Sequence, residues 1–430
     1  MTESAAPSSL HPSHQGRIRF ISGLGLAQIV SWGSLYYSFP LIAEPMGREL
    51  GLSKPELYGA ATCGILVAGL ASYPVGAAID RGHGRKIMTV GSVLGGLLLV
   101  AWSRVSALWV FYLLFGGIGL AQAMTMYEPV FAVVTRRFGI EARRGITAIT
   151  LWGGFASTVF IPFTQFAMDH VGWRNALVAL GGCNLVLCIG LHAWLIDPAL
   201  DVLHAKRERP VPAAPSRQAA GSGVDPSPAP LQGMRAVRWV VHRPAFWGLL
   251  VAFTAYYAMY VGLTFHLYPL LLERGFSVGK VITALSIIGP AQVAGRIAMW
   301  VFGRDRSVRA IGMVAIVAFP AGLAMLVLLP PTFATLAGFS VLCGAANGVI
   351  TIVRGLVVPE MLTREAYGAI NGVLALPANI AKALAPAVTA AVWALFHSYD
   401  TVLMVALVTC AVVVAAFAFA ALQREPATAR

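Results

Sequence analysis

Charge is what this sequence has least of. Only 11% of its 430 residues are Asp, Glu, Lys or Arg, and 58% are hydrophobic. A soluble globular chain carries about a quarter charged residues, so a water-soluble fold is excluded. Cysteine is scarce too. Cys63, Cys183, Cys188, Cys343 and Cys410 all fall in apolar stretches, which excludes a disulfide framework and a cysteine metal site. No phosphate-binding glycine loop or catalytic triad pattern is present, and the loops are too short to hold a separate soluble domain. An enzyme is therefore not expected, nor is a cofactor. A mean hydropathy of +0.74 points instead to an all-α membrane protein.

Twelve apolar spans of roughly 20 residues, the length that crosses a bilayer, run from about 20–43 to 401–422. Arg17 and Arg19 precede a first span too long for the apolar core of a signal peptide, so that span is expected to stay as a helix. Net charge is +13, which by itself suggests nucleic acid. The placement of the 31 Lys and Arg residues argues otherwise. With the N-terminus inside, 22 lie in inner segments, six in outer loops (Arg48, Lys54, Arg104, Arg174, Arg274 and Lys280) and three within spans. By the positive-inside rule both termini are cytoplasmic, and no nucleic-acid partner is expected.

The stretch RERPVPAAPSRQAAGSGVDPSPAPLQG breaks the apolar pattern and reads as a flexible linker. The expected division is a cytoplasmic tail 1–19, a six-helix bundle 20–196, a linker 197–245, a second six-helix bundle 246–422 and a tail 423–430. The halves echo each other. Asp80-Arg81 follows the second span and Asp305-Arg306 follows the eighth, 225 positions on; Pro162 and Pro386 are 224 apart. An internal duplication of this kind is a transporter architecture.

Gly76-Ala-Ala-Ile-Asp80-Arg81-Gly82-His83-Gly84-Arg85-Lys86 resembles the loop motif of the major facilitator superfamily, with one extra residue before Gly84. HVGWRNAL (170–177) is a second feature of that superfamily. The resemblance extends over about residues 17–422. It implies twelve transmembrane helices in two pseudo-symmetric six-helix bundles. It also implies that Gly76, Asp80, Arg81 and Arg85, with Asp305 and Arg306 in the second half, latch the halves in one state of alternating access.

A charge in hydrocarbon costs about 2.5–3.5 kcal/mol on the insertion scale and marks function by default. Of 18 acids, only Glu128 lies well inside a span. The cations inside spans are Arg296, Arg354 and Lys382, and His266 is a further ionisable group. Glu128 shifted by 225 lands one residue from Arg354, so an ion pair across the pseudo-twofold axis is expected, either a structural clamp or a coupling gate. Arg296 and Lys382 then have no intramembrane acid, and a substrate anion would complete them. A guanidinium fork matches a carboxylate with two hydrogen bonds. This arrangement resembles the oxalate:formate antiporter and the monocarboxylate transporters, which implies carboxylate binding by Arg296 and Lys382. The Arg136–Phe160 region is also similar to that group. Two features depart from it: Ser31-Trp32-Gly33 lacks the acid that monocarboxylate transporters carry there, and Gln292 stands one turn before Arg296.

Tyr37 in the first span and Tyr260 and His266 in the seventh are expected to line a site for a small organic ligand. Asn347 and Asn379 are read as helix bridges. The expected function is secondary transport of a small organic anion, a carboxylate, by alternating access across a bacterial inner membrane, as a monomer, coupled to protons or to a counter-anion. The alternative is a proton-coupled exporter of drugs or amphipathic metabolites, or a carrier of a larger aromatic such as a vitamin.

Overall fold

The computed structural model describes residues 14–138, 142–197, 234–303, 306–363 and 367–423. These residues contain helices and connecting turns and no strand. Helices α1 (His14–Trp32) and α2 (Phe39–Leu50) are joined by a π-turn at Gly33–Tyr37 and form the first crossing. They are followed by α3 (Lys54–Ala78) and α4 (Gly84–Trp102). Next come α5 (Leu108–Thr125) and α6 (Tyr127–Phe138), which share one crossing broken at Met126, just before Glu128. Helices α7 (Ala142–Gly154), α8 (Ala156–Cys183) and α9 (Ile189–Leu195) complete the first half. The second half contains α10 (Met234–Val241), α11 (Pro244–Glu273), α12 (Val278–Phe302), α13 (Val308–Leu328), α14 (Phe333–Val357), α15 (Tyr367–Phe396) and α16 (Tyr399–Leu422).

Ten described helices are long and apolar enough to cross a bilayer. One of them, Arg144–Leu195, has 52 residues. At about 1.5 Å per residue it would be far longer than a bilayer is thick. It turns at Gly172, whose φ of 76° and ψ of 163° suit glycine alone, so it makes two crossings. With α1–α2 the crossings number twelve. Of the expected linker, 198–233 lies outside the described residues. Its last part, Met234–Val241, is a short helix rather than open chain.

The duplication is visible in the helices themselves. The equivalent helices α3 and α12 each have 25 residues and follow a serine N-cap, Ser53 or Ser277. At Ser53 the cap is reciprocal: its backbone N–H donates to Glu56 Oε2 at 2.7 Å, and its hydroxyl accepts from the Glu56 N–H. Each of these helices packs backbone to backbone on a partner, α3 on α5 and α12 on α14. A methyl group at Gly119, Gly295 or Gly348 would collide with the carbonyl oxygen of Gly64, Ala345 or Gln292. Small residues permit such an approach where lipid supplies no hydrophobic drive between helices.

HVGWRNAL has a structural role. After the Gly172 turn, Trp173 Nε1 donates to Glu49 Oε2 at 2.6 Å. Arg174 donates to Glu49 Oε1 from Nε and Nη2 at 3.1 and 2.8 Å. Arg174 Nη1 also donates to the Ser103 carbonyl at 2.7 Å. The motif therefore ties the end of α2, the α4–α5 turn and α8 together on one side of the first half.

The halves close on each other at the end away from the termini. Lys54 places Nζ 3.8 Å from the ring centroid of Trp393 and 4.6 Å from that of Tyr399, and pairs with Glu44 of its own half at 3.5 Å. The Tyr58 hydroxyl donates to the Phe265 carbonyl at 3.3 Å. The Ala387 N–H, next to Pro386 in α15, donates to Thr62 Oγ1 at 3.2 Å. Toward the terminus-bearing end the corresponding surfaces lie open, with Tyr73 of α3 85% exposed and Leu376 of α15 63% exposed.

Candidate transport site

A cavity lies between the halves, below the closed end. Aromatic rings dominate its wall: Tyr37 from the first half, and Tyr260, Tyr268, Phe319 and Phe339 from the second. Ser157 and Thr264 add hydroxyl groups. Tyr37 and Tyr260, both expected from the sequence as lining residues, stand on this wall.

Arg296 lies eight residues beyond the cavity residue Ile288 on α12, or about 12 Å along the axis. Helical side chains lean back toward the N-terminus, so its chain climbs toward the cavity. The guanidinium acts electrostatically on Tyr37, Tyr127 and Tyr260. Among the described residues it makes one hydrogen bond, from Nη1 to the Thr150 carbonyl at 2.8 Å, out of five N–H donors. Beside it the rings of Trp32 and Tyr127 lie 5.0 Å apart. Trp32 Nε1 is buried with no acceptor among the described residues. Such an orphan donor costs about 1–3 kcal/mol.

Lys382 sits mid-helix on α15, between Pro377 and Pro386, but it does not converge with Arg296. Its ammonium lies 4.0 Å from the Tyr257 ring centroid, and its charged neighbours are Glu128 and Arg354. The expected ion pair between Glu128 and Arg354 is not formed. Arg354 instead donates from Nη1 to Asn371 Oδ1 at 2.5 Å and faces the Phe253 ring, while Glu128 is exposed. Glu128 stands in the first turn of α6, just after the Met126 break. The acid and two cations thus form a loose cluster separate from Arg296.

His266 is not a lining residue. It is fully buried, stacked on Tyr58 with centroids 3.8 Å apart. Its Nδ1 pairs with the Tyr399 hydroxyl at 2.9 Å and its Nε2 with the Pro386 carbonyl at 3.0 Å. Both ring nitrogens are occupied inside the closed end, leaving none for a ligand.

Among the described residues the expected latch is not engaged. Gly76 has open space where a neighbouring helix was expected. Arg81 turns back onto its own helix, Nε to the Ala77 carbonyl at 3.0 Å. Arg85 and Arg306 are exposed. Asp305 and the side chain of Asp80 lie outside the described residues. Gly76, Arg81, Arg85 and Arg306 make no hydrogen bond or ion pair to the other half among the described residues.

Sequence reasoning missed Tyr127 and underrated Asn347. Tyr127 could have been found from its place beside Glu128. Asn347 Oδ1 accepts from the Tyr256 hydroxyl at 2.7 Å, and its Nδ2 donates to the Tyr260 hydroxyl at 2.8 Å.

Comparison with known proteins agrees with this architecture. Monocarboxylate transporter 12-B of Danio rerio is 26% identical over 70% of this chain and 65% of its own length. Monocarboxylate transporter 13 of Bos taurus is 28% identical over 65% and 58%. Monocarboxylate transporter 11 of Mus musculus is 31% identical, but the match spans only 33% of this chain and 34% of that protein. Among solved structures, a mutant of the nucleoside transporter NupG superposes with a TM-score of 0.70 at 14% identity, covering 95% of this chain and 99% of that one. A bacterial homologue of the human lysosomal transporter Spinster, inward-facing and occupied, gives 0.64 at 15% identity, covering 95% and 97%. Residues 24–331 match the sequence profile of the Major Facilitator Superfamily, and the chain belongs to that family of membrane transporters.

Proposed function

We propose that the protein moves an organic monocarboxylate with an apolar body across a bacterial inner membrane by alternating access, with both termini in the cytoplasm and the monomer as the working unit. The observation that carries this reading is the guanidinium of Arg296, which makes one hydrogen bond among the described residues and starts about two helical turns beyond the aromatic cavity's Ile288. One cation suits one carboxylate, and the rings of Tyr37, Tyr260, Phe319 and Phe339 suit what is attached to it. The likeness to monocarboxylate transporters supports the same class. In the proposed orientation the structure is inward-open. Glu128, Arg354 and Lys382 form the coupling group. As the halves close around the substrate, its carboxylate field and that of Glu128 compete for Lys382, with a proton or counter-anion balancing the charge. Gly76, Asp80, Arg81, Arg85, Asp305 and Arg306 engage only in the outward-open state.

The apolar wall favours one other reading, export of a neutral or cationic amphipath. A thermal-shift series on the purified protein separates the two, because a ligand of the folded state raises its melting point by mass action. Phenylacetate should stabilise the protein more than oxalate, and Arg296→Gln should remove the effect. Stabilisation by a lipophilic cation or a flavin alone, unaltered in Arg296→Gln, would refute the anion reading in favour of export.

A further inference from the structure

The hydrogen bonds of Asn347 fix more than a helix contact. This residue of α14 is buried, at 7% exposure, and meets two phenols of α11 whose rings stack with centroids 5.7 Å apart. An amide offers them one acceptor oxygen and one donor nitrogen. Tyr256 is 1% exposed, and among the described residues its hydroxyl has no acceptor except Asn347 Oδ1. A buried hydroxyl that cannot donate is penalised, so Tyr256 claims the oxygen. The amide nitrogen must then face Tyr260, whose oxygen accepts from it. With its oxygen engaged this way, Tyr260 directs its own proton elsewhere, and the one other side chain among the described residues that it meets by hydrogen bonding is Thr264, on the same cavity wall. Thr264, the neighbouring cavity hydroxyl, gives its proton to the Tyr260 carbonyl. Tyr260 stands on the cavity wall.

We propose that Asn347 is a positioning residue that sets Tyr260 as a hydrogen-bond donor into the cavity, so that the site selects anions carrying an acceptor oxygen on the apolar body. This rests on the anion reading above. Arg296 holds the carboxylate at the floor, and Tyr260 reads the second oxygen from the wall. Reversing the amide would leave Tyr256 without an acceptor and spend the Tyr260 proton on the amide oxygen, so that Tyr260 would face the cavity as an acceptor; the selectivity for an oxygen acceptor is therefore set by a residue lying behind the wall.

The test is a double-mutant cycle read as the ratio of two affinities, phenylpyruvate over 3-phenylpropanoate, measured on the full-length protein in nanodiscs. The two probes differ in one keto oxygen. The wild type should prefer phenylpyruvate by about 5- to 10-fold, the value of one hydrogen bond in a partly dry site. Tyr260→Phe should abolish the preference. Asn347→Leu, close in shape and without polar atoms, should abolish most of it, and should change nothing further in the Tyr260→Phe background. Asn347→Ala, which leaves space rather than filling it, should give the same ratio. A wild type without the preference, or a preference that survives Asn347→Leu and Asn347→Ala, would overturn the proposal. So would an Asn347 effect that persists in the Tyr260→Phe background. Failure of the anion reading shows separately, as 3-phenylpropanoate and phenylpyruvate affinities that Arg296→Gln leaves unchanged.

Discussion

Replacing Lys54 by methionine should tilt the protein toward the state open at the end away from its termini. Methionine keeps the length and packing of the side chain and removes its charge. In the closed end the ammonium lies 3.8 Å from the Trp393 centroid and 4.6 Å from that of Tyr399, and the side chain is only 16% exposed. Both rings belong to the other half, so these contacts exist only while the end is closed. Cation–π contacts that are partly desolvated contribute about 1–2 kcal/mol. The Glu44 pair lies within one half and survives opening, so it drops out of the difference. Losing about 1–2 kcal/mol from one of two states moves their ratio by roughly 5- to 30-fold. Cys343 lines the cavity and serves as the reporter once Cys63, Cys183, Cys188 and Cys410 are replaced. In sealed vesicles, a membrane-impermeant maleimide added from the far side should label Cys343 about 5- to 30-fold faster in Lys54→Met. An unchanged or slower rate would refute the assignment of Lys54 as a closing contact.

Arg296→Gln should raise the KM for a monocarboxylate by roughly 10- to 100-fold, as expected for loss of a charge-assisted hydrogen bond, and initial uptake rates check this. Gly348→Ala should lower the melting temperature, because its methyl meets the Gln292 backbone rather than a movable side chain; forced overpacking costs about 1–3 kcal/mol. Glu49 lies beyond the expected first span, and its hydrogen bonds from Arg174 and then Trp173 hold its carboxyl below the ordinary value of 4.5. A lowered pKa stabilises the fold above that ordinary value and is lost as pH falls through the folded one. The unfolding midpoint should therefore be flat near neutrality and drop in acid, and Glu49→Gln should flatten the acid limb in a pH-resolved melting series.

The spans and their pairing by duplication were legible in the sequence, since hydrophobic length depends on distance along the chain. The α3 and α12 helices match in length and cap where the repeat placed them. Azimuth was not legible. A helix in lipid is apolar toward both its neighbours and the bilayer, so periodicity does not say which way Lys382 points. It faces Tyr257 and the Glu128 cluster, and Arg296 alone reaches toward the cavity. His266 was misplaced for a related reason. Its depth in the span suited a lining residue, but the Tyr399 hydroxyl and the carbonyl beside Pro386 are contributed by distant chain and absorb both nitrogens. The Glu128–Arg354 pairing rested on the repeat offset, which fixes a position along the helix and not the direction of a side chain; Arg354 turns to Asn371 and Phe253 instead.

The pairing of Lys54 with Glu44 rather than with an acid across the boundary has an electrical consequence. When the far end opens, the cation leaves the rings of Trp393 and Tyr399 together with its own counter-charge. A neutral pair moves, and the membrane potential does almost no work on it, against about 2.3 kcal/mol per 100 mV for a bare elementary charge carried fully across. That step of the cycle should be voltage-silent, and any gating current should arise from Glu128, Arg354, Lys382 and the ion they handle.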